Sequence, residues 1–311
     1  MSGLVLKIPA TTANLGSGFD TLGMALSLYN IFQIKRLLPA YDFSCEILGE
    51  GFDELKEASK NLIVQSYIKA CEVWGVPPTG FEFESCNAIP LNRGLGSSST
   101  AVVAGVMAAN LIHGLKNTEG ELLRVMTLIE GHPDNVVPCY LGGMTVSSWD
   151  AANKTLRYVK LPALPNDLNI IATVPNFQVH TEDARKILPD SVPFKDAVFN
   201  VSHASILCAA WAMGRWDLLR FGMEDRLHQI HRAKLFPGGI GQKFLSEIQS
   251  RPDCIATAIS GSGPTIIAIV RGKAGNLAQA MCKIFTEGGA ASHFFVLNCP
   301  TYGAKVLEDN L

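Results

Sequence analysis

The 311-residue sequence has few charged residues and almost no net charge, and this scarcity excludes several classes of protein. Charged residues make up 17% of the chain, with 26 lysines and arginines against 28 acidic residues. A chain so balanced lacks the basic surface of a nucleic-acid-binding protein and a polybasic patch for anionic membranes. Hydrophobic residues make up 48%, which is typical of a folded globular protein rather than a disordered one.

Long apolar runs and cysteine pairs are also missing. The nearest approach to an apolar run, 101–112, is shorter than the roughly 18 residues of a membrane span. The opening residues reach Lys7 and Pro9 too soon to resemble a secretory signal. None of the eight cysteines lies in a CxxC pair, so neither a zinc ribbon nor a thioredoxin-type site is indicated. We therefore expect a cytoplasmic protein with reduced thiols.

Hydrophobic periodicity in the first half alternates between the periods of strands and helices. Strands are predicted over 3–9, 30–38, 41–48 and 81–90, helices over 61–75, 99–115 and 118–131, and a hairpin from 142–149 and 155–161. Gly75 is placed to end the first helix, and Thr118 with Glu121 forms a capping-box pattern at the start of the third. These patterns predict a sheet covered by helices.

A proline-bearing stretch, 161–169, is the best candidate for a domain boundary. Beyond it we predict strands at IIATVP, CIATAIS, TIIAIV and SHFFVLNC, and helices over 194–214, 216–223, 241–250 and 276–289. The order strand, strand, helix, strand near the end suits a split βαβ half of the ferredoxin-like type. The predicted fold class is therefore α+β with two domains, 1–162 and 163–311.

The segment PLNRGLGSSSTA, 90–101, places glycines and hydroxyls at the mouth of a helix. Gly94 and Gly96 allow tight turns and close approach of a ligand, and the N–H groups of a helix N-terminus attract phosphate. An over-capped helix on a tight turn is the alternative. A Walker A loop is excluded because no glycine-lysine-serine/threonine occurs, and a dinucleotide fingerprint is excluded because Ser99 stands at its third glycine.

This segment resembles the PxxxGLGSSxA motif of the GHMP kinases, which include galactokinases, mevalonate kinases and homoserine kinases. Five further segments resemble homoserine kinases in the same order along the chain: 8–26, 130–144, 181–189, 228–238 and 258–269. The resemblance implies an N-terminal ATP-binding α+β domain and a C-terminal ferredoxin-like domain. It also implies transfer of the ATP γ-phosphoryl group to the hydroxyl of L-homoserine by direct in-line attack, a step of threonine biosynthesis, with Mg²⁺ as cofactor.

The resemblance assigns the glycine-serine segment to the ATP phosphates. Its ATP-binding residues would be Pro90, Leu91, Asn92, Arg93, Gly94, Leu95, Gly96, Ser97, Ser98, Ser99 and Thr100. An arginine here can make a charge-assisted contact to phosphate, although Arg93 is as readily explained as a surface residue. Ser98 and Glu130 would bind Mg²⁺, since hydroxyl and carboxylate oxygens are the hard ligands that this ion prefers.

L-Homoserine carries an ammonium, a carboxylate and a hydroxyl, so its site needs charges of both signs. The resemblance assigns to the substrate Asn14, Asp20, His132, Asn135, Thr181, Arg185, Arg232 and Gly261. Asp20 would pair with the ammonium, and the two arginines would hold the carboxylate with their planar guanidiniums. From the residues alone, a turn role is favoured for Asn14 and Asp20, and the two arginines are more often surface residues. His132 is also explained as a loop cap.

The catalytic base is the least determined part of this prediction. Asp134 lies where relatives use an aspartate, but the lysine that accompanies it in their first motif is replaced here by PATTAN. We therefore expect the hydroxyl to be positioned, with Asn135 taking part and Asp134 structural. His228 and His231 have the spacing of a metal pair but no carboxylate company, and a structural role is favoured for them.

Two departures from the family motifs leave the glycines and first two serines in place. Ser17 replaces the proline of NLGPGFD, and the phosphate loop continues as GLGSSST rather than GLGSSAA. The alternative functions are a sister kinase acting on mevalonate, a sugar or shikimate, and a regulatory protein that has kept the fold. A neutral sugar would not need Asp20 and the two arginines. A homodimer is expected from the family, without a sequence feature that demonstrates it.

Overall fold

A computed structural model describes residues 3–309. The strands are β1 (Leu4–Ala13), β2 (Leu22–Leu38), β3 (Phe43–Gly49), β4 (Gly80–Asn87), β5 (Met144–Asp150), β6 (Thr155–Leu161), β7 (Leu168–Pro175), β8 (Ala256–Ile259), β9 (Ile266–Arg271), β10 (Ser292–Leu297) and β11 (Lys305–Glu308). The helices are α1 (Leu62–Trp74), α2 (Ser97–Ile112), α3 (Glu119–Glu130), α4 (Pro133–Leu141), α5 (Thr181–Lys186), α6 (Phe194–Ala212), α7 (Leu219–Gly222), α8 (Gln229–Arg232), α9 (Ile240–Lys243) and α10 (Gly275–Glu287).

The larger sheet has the order β11-β1-β2-β4-β3, with the β5–β6 hairpin joined to β2. Helices α1 to α4 pack against it through a hydrophobic core that includes Phe32, Tyr67, Phe81 and Phe83. The predicted caps are confirmed: Gly75 ends α1 in the left-handed conformation, and the Thr118 hydroxyl accepts the Glu121 N–H at the start of α3.

Helix α2 is buried along most of its length because its side chains are small. A Cβ added to Gly105 would lie 2.4 Å from the carbonyl oxygen of Ile63 and 2.7 Å from the backbone nitrogen of Tyr67, both in α1. Only glycine permits this separation of the two helices. The small residues that follow the predicted phosphate loop therefore let the middle of α2 pack closely against α1.

The smaller sheet has the order β10-β7-β9-β8, and all its neighbouring strands are antiparallel. Numbered by their order in this half of the chain, the strands lie as 4-1-3-2, with α6 and α10 in the two connections. This is the arrangement of the split βαβ fold that the sequence predicts for the second half. The ferredoxin-like prediction is confirmed.

The predicted boundary, 161–169, lies between the end of β6 and the start of β7. Strand β11 crosses it, because Glu308 of β11 pairs with Val5 of β1 in the larger sheet. The division into 1–162 and 163–311 stays a prediction, with this strand as the exception to it. In residues 3–309 no helix has the length and apolar content to cross a membrane.

Some elements differ from the sequence prediction. The predicted helix 216–223 is a 3₁₀ turn followed by α7, and the predicted helix 241–250 is α9 followed by a π turn. Helix α4 was not predicted, because Pro138 in its interior is a signal for a helix break. Helix α5 and strand β11 were not predicted either, since both are short and largely exposed.

Candidate active site

The predicted phosphate loop forms one end of a cleft that extends to the first turn of the chain and to α8. Gly94 and Gly96 have φ of 75° and 68°, in the left-handed region where glycine is favoured. A Cβ on Gly94 would lie 2.2 Å from the Ser260 carbonyl oxygen, and one on Gly96 would lie 1.9 Å from the Thr11 Oγ1. Both glycines are therefore required by the close packing of neighbouring segments.

Helix α2 starts at this loop without a capping side chain, so the N–H groups of its first turn face the cleft unprotected by a cap. The hydroxyls have other partners. Thr100 donates to the Ser97 carbonyl at 2.7 Å, and buried Ser99 donates to Glu130 Oε1 at 2.8 Å. The over-capped-helix explanation of the serine run therefore does not describe this turn, and the N-terminus has the form of an anion site.

Glu130 ends α3 and projects toward the exposed Ser98, whose Oγ lies 3.3 Å from Glu130 Oε1. Burial raises the pKa of Glu130, although the nearby charge of His132 opposes the rise. Glu130 takes part in neither of the neighbouring ion pairs, His132–Asp134 and Arg185–Asp20. Two oxygens on neighbouring positions of one Mg²⁺ lie about 3 Å apart, so Ser98 and Glu130 fit the role of metal ligands.

At the opposite end of the cleft, a left-handed turn follows β1. Asn14 has φ of 70° and Asp20 has φ of 51°, and the side chain of Asn14 ties the turn together. Asn14 Oδ1 accepts the Asp20 N–H at 3.0 Å, and Asn14 Nδ2 donates to the Gly261 carbonyl at 3.1 Å. The turn alternative for Asn14 is thus correct as far as it goes, while the Asp20 carboxylate remains directed into the cleft.

Two arginines meet at the Asp20 end. Arg185 of α5 makes a bidentate pair with Asp20, both N···O distances being 2.9 Å. Arg232 of α8 is 2% exposed and donates to the Gly261 carbonyl at 2.7 Å. Burial, reinforced by the Arg185 charge, lowers the pKa of Arg232 to about 10. Two guanidiniums and one carboxylate leave this end of the cleft suited to an additional negative group.

A buried hydrogen-bonded chain runs beneath the cleft at the start of α4. His132 Nδ1 lies against Asp134 Oδ1, and the Asn135 Oδ1 accepts the Thr11 hydroxyl at 2.7 Å. Burial alone would lower the pKa of His132, but the charges of Asp134 and Glu130 outweigh it and raise that pKa. The Asp134 carboxylate is therefore engaged by the His132 ring, while the Asn135 amide is held by Thr11.

The structure brings the residues predicted to bind ATP and the acceptor to one cleft, with the exception of Ser99, which is buried beneath it against Glu130. Arg93 lines it as well, but its guanidinium donates to the carbonyls of Pro175, Leu91 and Asn176. Thr181 lies at the exposed first position of α5. Further residues that support or line the cleft were not predicted from the sequence. They are Thr11, Phe19, Asn30, Asn61, Asn87 and Ser260. His228, for which the sequence favours a structural role, lies behind the cleft against the Gly16 carbonyl.

Comparison with known proteins shows the family of this chain. The family models for the GHMP kinase N-terminal and C-terminal domains match residues 61–143 and 242–287. The homoserine kinase of Carboxydothermus hydrogenoformans is 41% identical over 96% of this chain and 94% of its own length. That of Aquifex aeolicus is 36% identical over 97% and 98%. The chain belongs to the homoserine kinase family.

Solved structures confirm the fold of the family over the whole chain. The homoserine kinase of Cytophaga hutchinsonii superposes with a TM-score of 0.84 at 30% identity, covering 99% of this chain and 98% of that one. A galactokinase of Lactococcus lactis, solved with galactose, superposes with a TM-score of 0.70 at 15% identity, which shows a shared fold alone. The resemblance to GHMP kinases and the α+β fold are both confirmed.

Proposed function

We propose that the protein transfers the γ-phosphoryl group of ATP to the hydroxyl of L-homoserine, giving O-phospho-L-homoserine for threonine biosynthesis. The observation that carries this proposal is the pairing of two chemically different ends in one cleft. One end offers a helix N-terminus to phosphate, and the other offers Asp20, Arg185 and Arg232 to a zwitterion. Family membership supports the same reaction.

At the phosphate end, the N–H groups of α2 and the hydroxyls of Ser97 and Ser98 would bind the triphosphate. Ser98 and Glu130 would hold Mg²⁺, which supplies neutralisation of the charge that develops on the phosphates. The buried carboxylate of Glu130 is costly to ionise without a cation, as its raised pKa indicates. A bound cation would remove that cost.

At the amino-acid end, the ammonium would bind Asp20 and the carboxylate would bind Arg185 and Arg232. Because Arg185 and Asp20 already pair with each other, the substrate's two charges would take over the two halves of an existing ion pair. Thr181, His132 and Asn135 line the same region. Holding the acceptor in this way makes the attack on the phosphate nearly unimolecular, which is worth several kcal/mol.

For the chemical step we propose positioning of the hydroxyl rather than proton abstraction by a strong base. Asp134 is 2% exposed and its Oδ1 is occupied by His132 and, at 3.4 Å, by the Asn135 amide. Asn135 is itself fixed by the Thr11 hydroxyl. An amide held in this way can orient a hydroxyl without removing its proton.

The test is a coupled ADP-release assay with Mg·ATP, comparing L-homoserine with mevalonate, galactose and shikimate. We expect the wild type to turn over L-homoserine and none of the other acceptors. In Arg232→Ala the KM for L-homoserine should rise at least about 30-fold, because a charged hydrogen bond to the substrate is lost. Arg215→Ala, which removes an exposed arginine paired with Asp217, is the matched control. Turnover of another acceptor would refute the homoserine assignment, and ATP binding without turnover would favour a regulatory protein.

We also propose a cytoplasmic homodimer. All eight cysteines are free thiols, in keeping with a reducing compartment. Helix α6 exposes Phe194 and Val201 by 84% and 68%, and Met213, which follows its last residue, is 76% exposed. The helix has no lysine, arginine, aspartate or glutamate from 197 to 212. Two such helices packed antiparallel would place Phe194 of one copy beside Met213 of the other, without like charges in contact. Light scattering should show that the wild type is a dimer and that Val201→Glu is a monomer. A monomeric wild type would contradict the proposal.

A further inference from the structure

Behind the amino-acid end of the cleft lies a histidine that the mechanism above does not use. His228 is completely buried at the start of α8, one helical turn before Arg232. Its Nε2 lies 2.8 Å from the Gly16 carbonyl oxygen, and its Nδ1 lies 3.4 Å from the Arg232 Nη1. One imidazole therefore contacts both the turn that carries Asp20 and the arginine assigned to the substrate carboxylate.

These two contacts determine the tautomer of His228. A carbonyl oxygen accepts only, so Nε2 carries the proton, and a guanidinium donates only, so Nδ1 is the bare acceptor. A neutral imidazole is thus required, and burial keeps it neutral by lowering the pKa of His228. The charged groups that act on it are Asp225, Arg232 and Asp20.

The nearby acid does not compete for the imidazole. The Asp225 carboxylate is buried and accepts the backbone N–H groups of Leu227, His228 and Gln229, so its charge stabilises the N-terminus of α8. Its closest approach to His228 Nε2 is 3.8 Å, beyond hydrogen-bond distance. The imidazole is left to its two partners, Gly16 and Arg232.

Phe19 completes the arrangement from the other side. Its ring lies 5.2 Å from the His228 ring and 5.2 Å from the Arg232 guanidinium carbon. Arg232 is also held by the carbonyls of Gly261 and Ala184. The guanidinium therefore has a fixed orientation before any substrate arrives. His228 is the neighbour of Arg232 that hydrogen-bonds the Gly16 carbonyl of the Asp20 turn, in addition to the contacts that Phe19 and the Gly261 carbonyl make with both.

We propose that His228 is a positioning residue for the acceptor substrate: it holds the carboxylate-binding Arg232 and the ammonium-binding Asp20 turn at a fixed separation. This inference rests on the proposed function, because it takes the acceptor to be an amino acid. A fixed separation of the two charges selects an α-amino acid over an acceptor that carries only one charge. His228 itself does not touch the substrate.

The two contacts can be removed separately. In His228→Gln the side-chain amide can still donate to the Gly16 carbonyl but has no acceptor beside Arg232. In His228→Asn the shorter amide can still accept from Arg232 but has no donor that reaches Gly16. His231→Gln, on the same helix, is the matched control. We expect KM for L-homoserine to rise about tenfold in each His228 variant, with KM for ATP and kcat changed less than about threefold. His231→Gln should resemble wild type.

The proposal would be overturned if the KM for L-homoserine stayed within about twofold of wild type in both His228 variants. It would also be overturned if the KM values for L-homoserine and ATP rose equally and the Tm fell. That second pattern would show a merely structural residue. The amino alcohol 3-aminopropan-1-ol, which lacks the carboxylate, sharpens the assignment, since His228→Gln should leave its kcat/KM unchanged. If wild type turns over a different carboxylate-bearing acceptor instead, the homoserine assignment fails while a KM effect of His228 on that acceptor persists.

Discussion

At the phosphate end of the cleft a single segment, 94–100, supplies backbone N–H groups and hydroxyls, whereas the amino-acid end takes single side chains from segments far apart in sequence. Asp20 and Arg185 are separated by 165 positions, and Asn14 and Gly261 by 247. Binding at the phosphate end depends on close packing of the backbone. Binding at the amino-acid end depends on charged side chains and on how the two halves of the chain pack together. The two ends should therefore fail in different ways when altered.

The largest expected effect is at the phosphate end, where the backbone needs space. Gly94→Ala would place a Cβ 2.2 Å from the Ser260 carbonyl oxygen at a φ of 75°. We expect a loss of more than about 3 kcal/mol of unfolding free energy and at least a 100-fold lower kcat/KM for both substrates. Urea unfolding and steady-state kinetics measure these changes.

The control for this collision is Gly114→Ala, at a φ of 57° with no atom within 4 Å of the added Cβ. It introduces backbone strain without a clash, so a cost of about 1 kcal/mol and normal kinetics are expected. If Gly94→Ala were no worse than Gly114→Ala, the loop would not depend on close packing against Ser260.

Much of this phosphate end could be predicted from the sequence, because its signals are local. Gly94, Gly96 and the hydroxyls that follow lie within one turn of chain, and the caps of α1 and α3 are equally local. The amino-acid end needed the family resemblance, since nothing near Arg185 in the sequence indicates Asp20 as its partner. Helix α4 escaped prediction because burial of Val136 and Val137 overrides the break signal of Pro138.

Arg93 illustrates the same limit in a different way. Both sequence interpretations, a phosphate contact or a solvated surface arginine, leave out the carbonyls of Pro175 and Asn176 in the second half of the chain. Its guanidinium joins the phosphate loop to the end of β7. No local pattern contains that information, because the accepting groups are backbone oxygens more than 80 residues away.

A second effect, smaller because it spares the stability of the fold, is expected at Glu130, also at the phosphate end. Glu130→Gln should lower kcat about 100- to 1,000-fold, because the Mg²⁺ ion loses a negatively charged ligand. The same change should not lower the stability of the nucleotide-free protein at pH 8. The raised pKa of Glu130 means that the folded state holds a proton more tightly than the unfolded state, so its stability falls as pH rises above 4.5.

The measurements are kcat and the Tm at pH 5 and pH 8, with and without Mg·ATP. From pH 5 to pH 8 the Tm of the wild type should fall further than the Tm of Glu130→Gln. Mg·ATP should raise the Tm of the wild type but not that of Glu130→Gln. Glu119→Gln, at the other end of α3, is the control for helix effects. Full stabilisation of Glu130→Gln by Mg·ATP would contradict the metal-ligand assignment.

The smallest expected effect belongs to the amino-acid end, where charge makes stability depend on pH. The pKa of His132 is raised above its ordinary 6.5, so the stabilisation from its pair with Asp134 is present below pH 6.5. It is lost as pH rises through the raised value. Between pH 6 and pH 9, urea unfolding of wild type should lose about 1 kcal/mol more than His132→Gln. Equal losses would show that the pair does not stabilise the fold.

Strand β11 has a consequence for the order of events during synthesis. Its residues pair with β1, which is synthesised about 300 residues earlier, so this edge of β1 stays open until Lys305–Glu308 has been made. An open strand edge is a template for pairing with other chains. The nascent chain thus carries an exposed edge through the synthesis of both halves, and a chain cut short before β11 would have an unfinished larger sheet.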